Sequence, residues 1–171
     1  MVASGNRLMV GMAEIKIATG SANLYCLGLG SCVGLVAYDS RAQVAGLAHI
    51  MLPARFPDRP IDKLGKFADT GVPEIVRLME EEGALRRRIV VAYAGGASVF
   101  SFGSKLPDKI DIGASNSKAV EAAIKELGLR CLGFDVGGYD GRSLSLCVKS
   151  GEVWVRTVRA GEALLCNMTD A

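Results

Sequence analysis

The sequence predicts one mixed α+β domain over residues 1–171, with more strand than helix. Short apolar runs of strand length outnumber the amphipathic runs of helix length, and no internal repeat or linker divides the chain. Half of the residues are hydrophobic and 22% are charged, which is the composition of a soluble globular protein. Glycine is abundant, with 21 residues in 171. Because glycine adopts backbone conformations that other residues avoid, this abundance predicts many tight turns and close backbone approaches.

The first predicted strands include a β-hairpin. The stretch AEIKIA, residues 13–18, alternates in polarity as a strand does. Two apolar runs follow, at residues 32–38 and 44–52, and the turn-forming sequence DSRA separates them. Because both faces of these two strands are apolar, we expect other elements to cover both faces.

A charged loop, residues 54–66, precedes the first predicted helix, residues 67–83. Pro73 lacks an N–H group and fits only the first turn of a helix, so we expect the regular helix to begin near Thr70. Gly83 is expected to end it. The apolar face of this helix comprises Val72, Ile75, Val76 and Met79.

A second helix is predicted over residues 117–127. Ser115 or Asn116 is expected to cap its start, and Gly128 is expected to end it. The apolar face comprises Val120, Ala123, Ile124 and Leu127. Further strands are predicted in RRRIVVAYAGGAS, RCLGFDVGG, SLSLCVKS and EVWVRTVR, with a hairpin turn at KSGE between the last two.

Composition and charge exclude several classes of protein. The net charge is only +2, which is too weak to indicate a nucleic-acid partner. The five cysteines form no C-x-x-C pair and the chain has one histidine, so neither a zinc site nor a secreted disulfide framework is expected. The uncharged stretch 17–38 contains too many glycine and polar residues for a membrane span. Without a signal peptide at the start, a cytoplasmic protein is expected.

The single histidine, His49, limits where imidazole chemistry can occur. If residues 39–42 form the hairpin turn, Cys32 lies directly opposite His49 on the same face, and opposed Cβ atoms are about 4.5–5.5 Å apart. A thiol beside an imidazole is a nucleophile with its base, and the imidazole can lower the pKa of the thiol. The backbone N–H groups near Gly28, Gly30 and Cys32 could stabilise an oxyanion. A buried structural histidine and an inert buried cysteine are the alternatives.

The remaining glycine-rich and aromatic motifs have two interpretations each. The stretches AGGAS, 94–98, and DVGGYDGR, 135–142, follow predicted strands, and they match no phosphate-binding fingerprint, so tight turns are favoured. The aromatic stretch 99–102 is either core or a small docking patch. The arginines at 86–88 predict a solvated turn.

The motif LGLGSCV, followed by AHIMLP, resembles the CheD family of chemoreceptor glutamine deamidases. The stretches GKFADT, AGGAS.F, IGASN and D.GG...R extend the resemblance in order from about residue 13 to residue 158. It implies a fold of stacked mixed β-sheets flanked by two or three helices, similar to toxin-type cysteine deamidases. It also implies hydrolysis of receptor glutamine side chains to glutamate through a thioester, without a cofactor, and in some members cleavage of receptor methyl esters. The implied partners are chemoreceptor helices and a CheC-type phosphatase of CheY, which competes with receptors for the enzyme.

The same resemblance assigns roles to particular residues. The family nucleophile falls on Cys32 and the family histidine on His49. The third catalytic position is a threonine in the family but Cys26 here, and a thiol is a weaker hydrogen-bonding group than a hydroxyl. From the glycine-rich context of Cys32, the candidates for oxyanion or backbone support are Gly28, Gly30 and Ser31. From the aromatic stretch and the charged loop, the candidates for substrate or partner docking are Phe100, Phe102 and Lys66.

The departure at Cys26 leaves a second function open. In that alternative the protein is a binding module that regulates a CheC-type phosphatase and has little catalytic activity of its own. Removing the Cys32 thiol separates the two functions, because only an enzyme would lose ammonia release from receptors.

Overall fold

The structure is a computed structural model, described here over residues 5–98 and 111–170. In these residues, two five-stranded mixed sheets and two helices form an α+β fold, which confirms the predicted fold class. The strands are β1 (Arg7–Met9), β2 (Ile15–Thr19), β3 (Asn23–Leu29), β4 (Val33–Asp39), β5 (Val44–Ile50), β6 (Val90–Gly95), β7 (Arg130–Val136), β8 (Arg142–Cys147), β9 (Glu152–Thr157) and β10 (Gly161–Asn167); the helices are α1 (Ala68–Glu81) and α2 (Ile112–Glu126).

The two sheets and the helices form three layers. The outer sheet has the strand order β1-β3-β8-β9-β10, and the central sheet has the order β2-β5-β4-β6-β7. One hydrophobic core fills the space between the sheets, and a second core lies between the central sheet and the helices. Every residue of β4 and β5 is therefore buried, as their two apolar faces predict.

Helix α1 confirms the predicted apolar face, but it begins earlier than expected. All four predicted face residues are buried, and Gly83 follows the helix with a positive φ of 96°. The expectation that Pro73 lies in the first turn is wrong, because the helix starts at Ala68 and Pro73 lies in its second turn. The carbonyl group that loses its helical donor belongs to Asp69, which is exposed and can bind water instead.

Helix α2 begins five residues before the predicted start. Asp111 is its N-terminal cap, and the Asp111 side chain accepts a hydrogen bond from the backbone N–H of Ala114 at 3.0 Å. The predicted caps, Ser115 and Asn116, lie inside the helix. The first turn of α2 packs through Gly113, where a Cβ atom would lie 2.5 Å from the Ala97 carbonyl oxygen. The apolar repeat that predicted the helix therefore begins after this first turn.

The predicted hairpin is confirmed as β4 and β5, but its register differs by two residues. Asp39 pairs with Val44, so the turn comprises residues 40–43 rather than 39–42. The Asp39 carboxylate accepts hydrogen bonds from the backbone N–H groups of Arg41 and Ala42, and Gln43 takes a positive φ of 54°. Asp39 thus stays in the strand while its side chain organises the turn.

The strands of the second half follow the sequence pattern more closely. The stretches that predicted β6 to β9 all form strands, and residues 148–150 form the turn between β8 and β9. The sequence did not single out β1, β3 and β10 as separate strands. The predicted docking residues Phe100 and Phe102 lie outside the described residues.

Neither helix in the described ranges is both long enough and apolar enough to cross a membrane.

Candidate active site

Cys32 lies in a bend between β3 and β4, one residue before β4 begins. Its carbonyl oxygen accepts a hydrogen bond from the Gly96 N–H at 2.8 Å, and the Gly30 carbonyl accepts one from the Ala97 N–H at 2.8 Å. Gly95 has a φ of 126°, and a Cβ atom there would collide with the Cys32 carbonyl oxygen. The AGGAS motif therefore comprises the end of β6 and the segment after it, whose backbone holds that of Cys32.

His49 lies in β5 directly opposite Gly34, and not opposite Cys32 as the sequence predicted. The register differs by two residues because Asp39 is the last residue of β4, paired with Val44, and is not part of the turn. Because side chains alternate along a strand, a shift of two positions keeps the same face. A Cβ atom on Gly34 would point at Leu29 in the inter-sheet core, and Cys32 packs against that same core. Cys32 and His49 therefore approach the same side of the central sheet from diagonal positions.

Cys26 completes this group from the opposite sheet. Its side chain is fully buried, and its Sγ lies 3.0 Å from the position that a Cβ atom on Gly34 would occupy. Burial raises the pKa of Cys26 to about 12, a Leu144 backbone hydrogen bond opposes the rise, and the charge of Cys32 adds to it. Cys26 is therefore a neutral thiol beside the strand pair that carries His49.

The buried environment keeps His49 in its neutral form. The side chain is 3% exposed, and neither ring nitrogen has a hydrogen-bond partner in the described part of the chain. Burial lowers the pKa of His49 below 6.5, while the nearby Val10 carbonyl and the Glu14 carboxylate offset part of this effect. The Val10 carbonyl acts here as a nearby dipole, because its geometry does not meet that of a hydrogen bond. A neutral imidazole has a free lone pair and can accept a proton.

Cys32 is also protonated at neutral pH. Burial raises the pKa of its half-buried thiol above 9.0, and its own backbone N–H opposes the rise. The sequence-based expectation that His49 lowers this pKa is therefore not met in the resting structure. Thiol and imidazole are both neutral, so the proton would move only when the sulfur attacks a substrate.

The backbone next to Cys32 offers N–H groups for a developing oxyanion. Gly28 has a φ of 67° at a bulge in β3, and the Gly30 N–H donates to the Gly28 carbonyl at 3.0 Å. Gly30 thus supports the loop and does not offer a free donor. The N–H groups of Ser31 and Cys32 donate to no carbonyl among residues 5–98 and 111–170.

Asn116 connects the two strands that carry the candidate catalytic residues. It is fully buried, and its Nδ2 group donates to the carbonyl oxygens of Ser31 and Met51, both at 2.9 Å. Ser31 directly precedes Cys32, and Met51 follows His49 by two positions. In the sequence, Asn116 was a candidate helix cap and the last residue of the IGASN motif, with no role predicted beside Cys32 or His49. Its position four residues before Val120, on the buried face of α2, is the signal that could have identified it.

Arg142 explains the D.GG...R motif. The buried guanidinium donates to the carbonyl oxygens of Gly95 at 3.3 Å and Gly137 at 2.8 Å, and it pairs with the Asp135 carboxylate at 3.0 Å. It therefore joins the end of the central sheet to the glycine turn after β7. This second glycine cluster is also structural, as the tight-turn interpretation predicts.

Lys66 is distant from β5 in the sequence but lies next to the residues that directly follow β5 in space. Its carbonyl oxygen accepts hydrogen bonds from the Met51 and Leu52 N–H groups at 2.9 and 3.0 Å. Its amine lies 3.7 Å from the Asp62 carboxylate and 5.7 Å from the centre of the Phe67 ring. The backbone of Lys66 thus holds the residues that directly follow β5, and its amine is already partly paired.

Comparison with known proteins identifies the family. The model of the family described as CheD chemotactic sensory transduction matches residues 51–157. The chain belongs to the CheD family.

Three relatives carry the name probable chemoreceptor glutamine deamidase CheD. The chain is 38% identical to the protein of Clostridium novyi (strain NT), over 91% of this chain and 96% of the relative. It is 40% identical to the protein of Desulforamulus reducens, over 92% and 95%. It is 38% identical to the protein of Clostridium botulinum (strain Alaska E43 / Type E3), over 89% and 93%.

We expect the single imidazole to titrate with a pKa below 6.5, because burial disfavours the charged ring. The unfolded chain binds this proton more tightly than the folded chain. The contribution of His49 to the free energy of unfolding is fully present above about pH 6.5. It is lost as the pH falls through the pKa of His49 in the folded protein. NMR titration of the one histidine measures the pKa, and urea unfolding of wild type and His49→Gln gives the stability difference. A pKa at or above 6.5, or the same pH dependence in both proteins, would contradict this description.

Asn116→Ala should lower the free energy of unfolding by about 1–3 kcal/mol, because two buried carbonyl groups lose their donor. It should also change the rate at which iodoacetamide alkylates Cys32, because the loop before β4 is released. Ser115→Ala is the matched control, since its hydroxyl binds no described residue. Urea unfolding and peptide mapping measure the two effects; if Asn116→Ala behaves like Ser115→Ala, the proposed link between the strands is wrong.

Proposed function

We propose that this protein hydrolyses the side-chain amide of chemoreceptor glutamines to glutamate, with Cys32 as nucleophile and His49 as general base. The observation that supports this most directly is the approach of Cys32 and the only histidine to one side of the central sheet. The names of the CheD relatives give the substrate class. The chemistry needs a thiol, an imidazole and backbone N–H groups.

The first half of the reaction is acyl transfer. The thiol proton of Cys32 passes to His49 as the sulfur attacks the side-chain carbonyl carbon of the glutamine and forms an S–C bond. The N–H groups of Ser31 and Cys32 stabilise the oxyanion of the tetrahedral intermediate. His49 then gives the proton to the leaving nitrogen, the C–N bond breaks, and ammonia departs from a thioester.

Hydrolysis of the thioester completes the cycle. His49 takes a proton from water, and the hydroxide attacks the thioester carbonyl carbon. The C–S bond breaks, the sulfur recovers the proton, and the product is a glutamate side chain. His49 is suited to both steps because burial keeps it neutral and ready to accept a proton.

The exposure of the two thiols favours Cys32 over Cys26 as the nucleophile. Cys32 is half-buried, whereas Cys26 is fully buried with a pKa raised to about 12. Because the thiolate is the reactive form, Cys26 is a poor nucleophile. We assign Cys26 a weak positioning role toward His49, in place of the threonine hydroxyl of the family.

Partners and location follow from the same proposal. Receptor helices dock near the end of β5, where Lys66 lies, and a CheC-type phosphatase competes for the same surface. Phe100 and Phe102, which lie outside the described residues, are proposed to contact the same partners. The protein acts in the cytoplasm, where the signalling helices of chemoreceptors are found.

Cys32→Ala should lower ammonia release from a receptor fragment by about 10³-fold or more, because the nucleophile is removed. Cys131→Ala is the control and should keep wild-type activity, since Cys131 lies on the exposed surface of β7. Ammonia release and the mass of receptor peptides measure the reaction. Equal activity of wild type and Cys32→Ala would exclude this mechanism.

The same variant tests the alternative function. Cys26 in place of threonine favours a binding module that regulates a CheC-type phosphatase without catalysis. A pure binding module would show no ammonia release in wild type, and Cys32→Ala would keep its effect on the phosphatase.

Cys26→Thr should raise the deamidation rate several-fold, up to about tenfold. A hydroxyl group makes a net hydrogen bond worth about 0.5–1.5 kcal/mol, and each 1.36 kcal/mol in the barrier changes a rate about tenfold. Turnover of a receptor fragment, measured with and without reductant, also tests whether Cys26 and Cys32 form an inhibitory disulfide. If both proteins show equal rates under both conditions, Cys26 neither positions His49 nor switches the enzyme.

A further inference from the structure

A cavity with a strongly positive lining lies at the opposite end of the central sheet from Cys32. It has a volume of 430 Å³ and is formed where β4 ends and where β6 and β7 begin. Cys32 precedes β4, and a strand of seven residues spans roughly 20 Å. The cavity is therefore separate from the candidate active site. Its charged lining residues are Arg41, Arg86, Arg87, Arg88 and Arg130.

Three of these five arginines have no ion-pair partner among the described residues. Arg88 pairs with the Asp39 carboxylate at 2.8 Å, and Arg86 pairs with Glu80 at 3.2 Å. The other three, Arg41, Arg87 and Arg130, form no ion pair with any residue that the structure describes, and no described acidic residue lines the cavity. The whole chain has a net charge of only +2, so this concentration of charge is local.

The arginines that line the cavity come from three segments that are far apart in the sequence. Arg41 lies in the β4–β5 turn, Arg87 in a short 3-10 turn before β6, and Arg130 at the start of β7. Asp39 fixes two of these segments to each other, because its carboxylate accepts hydrogen bonds from the Leu85 N–H at 2.9 Å and the Arg88 guanidinium at 3.0 Å. The charges are therefore held near one another by the fold, and their mutual repulsion favours an anion between them.

We propose that this arginine cavity binds a small anion that carries two or more phosphate groups. Guanidinium groups bind phosphate oxygens through paired hydrogen bonds, and three guanidinium groups without an ion-pair partner in the described part of the chain match an anion with several phosphates. The volume lies within the usual range of small-molecule sites. The rest of the lining is aliphatic or small and contains no aromatic ring for a base to stack on, so the phosphates carry the recognition.

Calorimetric titration with inorganic tripolyphosphate tests this proposal directly. The double variant R87Q/R130Q should weaken binding by about tenfold or more, because each substitution removes a charge-assisted contact. The control R156Q/R159Q also removes two positive charges, but from β9 and the turn after it, away from the cavity. It should bind tripolyphosphate as wild type does. A second titration with ATP distinguishes a free polyphosphate from the phosphate chain of a nucleotide; equal affinity for both is expected.

Four outcomes would overturn the proposal. Absence of tripolyphosphate binding would do so, as would equal weakening in the two double variants, which would indicate general electrostatic attraction. Equal affinity for citrate would exclude phosphate as the recognised group, and binding of poly-glutamate in place of tripolyphosphate would assign the cavity to an acidic protein. Urea unfolding without ligand checks that R87Q/R130Q folds; removal of two unpaired like charges should leave its stability at or above the wild-type value. Deamidase activity is expected to be unchanged, so this test is independent of the proposed function.

Discussion

The pairing of Gly34 with His49 is the constraint on which the rest of the candidate site depends. Because Gly34 has no side chain, the sulfur of Cys26 and the side chains of Leu29 and Leu144 can pack against the strand beside His49. A larger residue at this position would have to displace all three. The close packing of the two sheets beside His49 therefore depends on this glycine.

The site is held from outside the sheet as well as from within it. Asn116 in α2 binds the backbone of both strands beyond one end of the Gly34–His49 pair, and Arg142 in the outer sheet binds the end of β6. Both side chains donate to carbonyl oxygens, and among the described residues the Cys32 thiol and the His49 imidazole have no strong polar partner. Burial is therefore the main influence on the pKa values of these two candidate catalytic groups, and it favours the neutral form of both.

The sequence predicted the features that depend on local pattern. The helix faces, the hairpin and most later strands follow from apolar spacing and turn residues, and the CheD motifs indicated the family. The hairpin register was missed because the side chain of Asp39 organises the turn from inside the strand. Asn116 was missed because its partners, Ser31 and Met51, are distant in sequence. Such contacts depend on how the layers pack, which periodicity alone does not encode.

The central claim is that Cys32 forms a covalent bond to the substrate. The most direct measurement is acid quenching of the enzyme during turnover of a receptor fragment, followed by peptide mapping for the acyl group. This account predicts a thioester on Cys32 that accumulates when hydrolysis is slowed and is absent in Cys32→Ala. An acyl group on Cys26 or another residue, or turnover without any acyl-enzyme under conditions that slow hydrolysis, would contradict it.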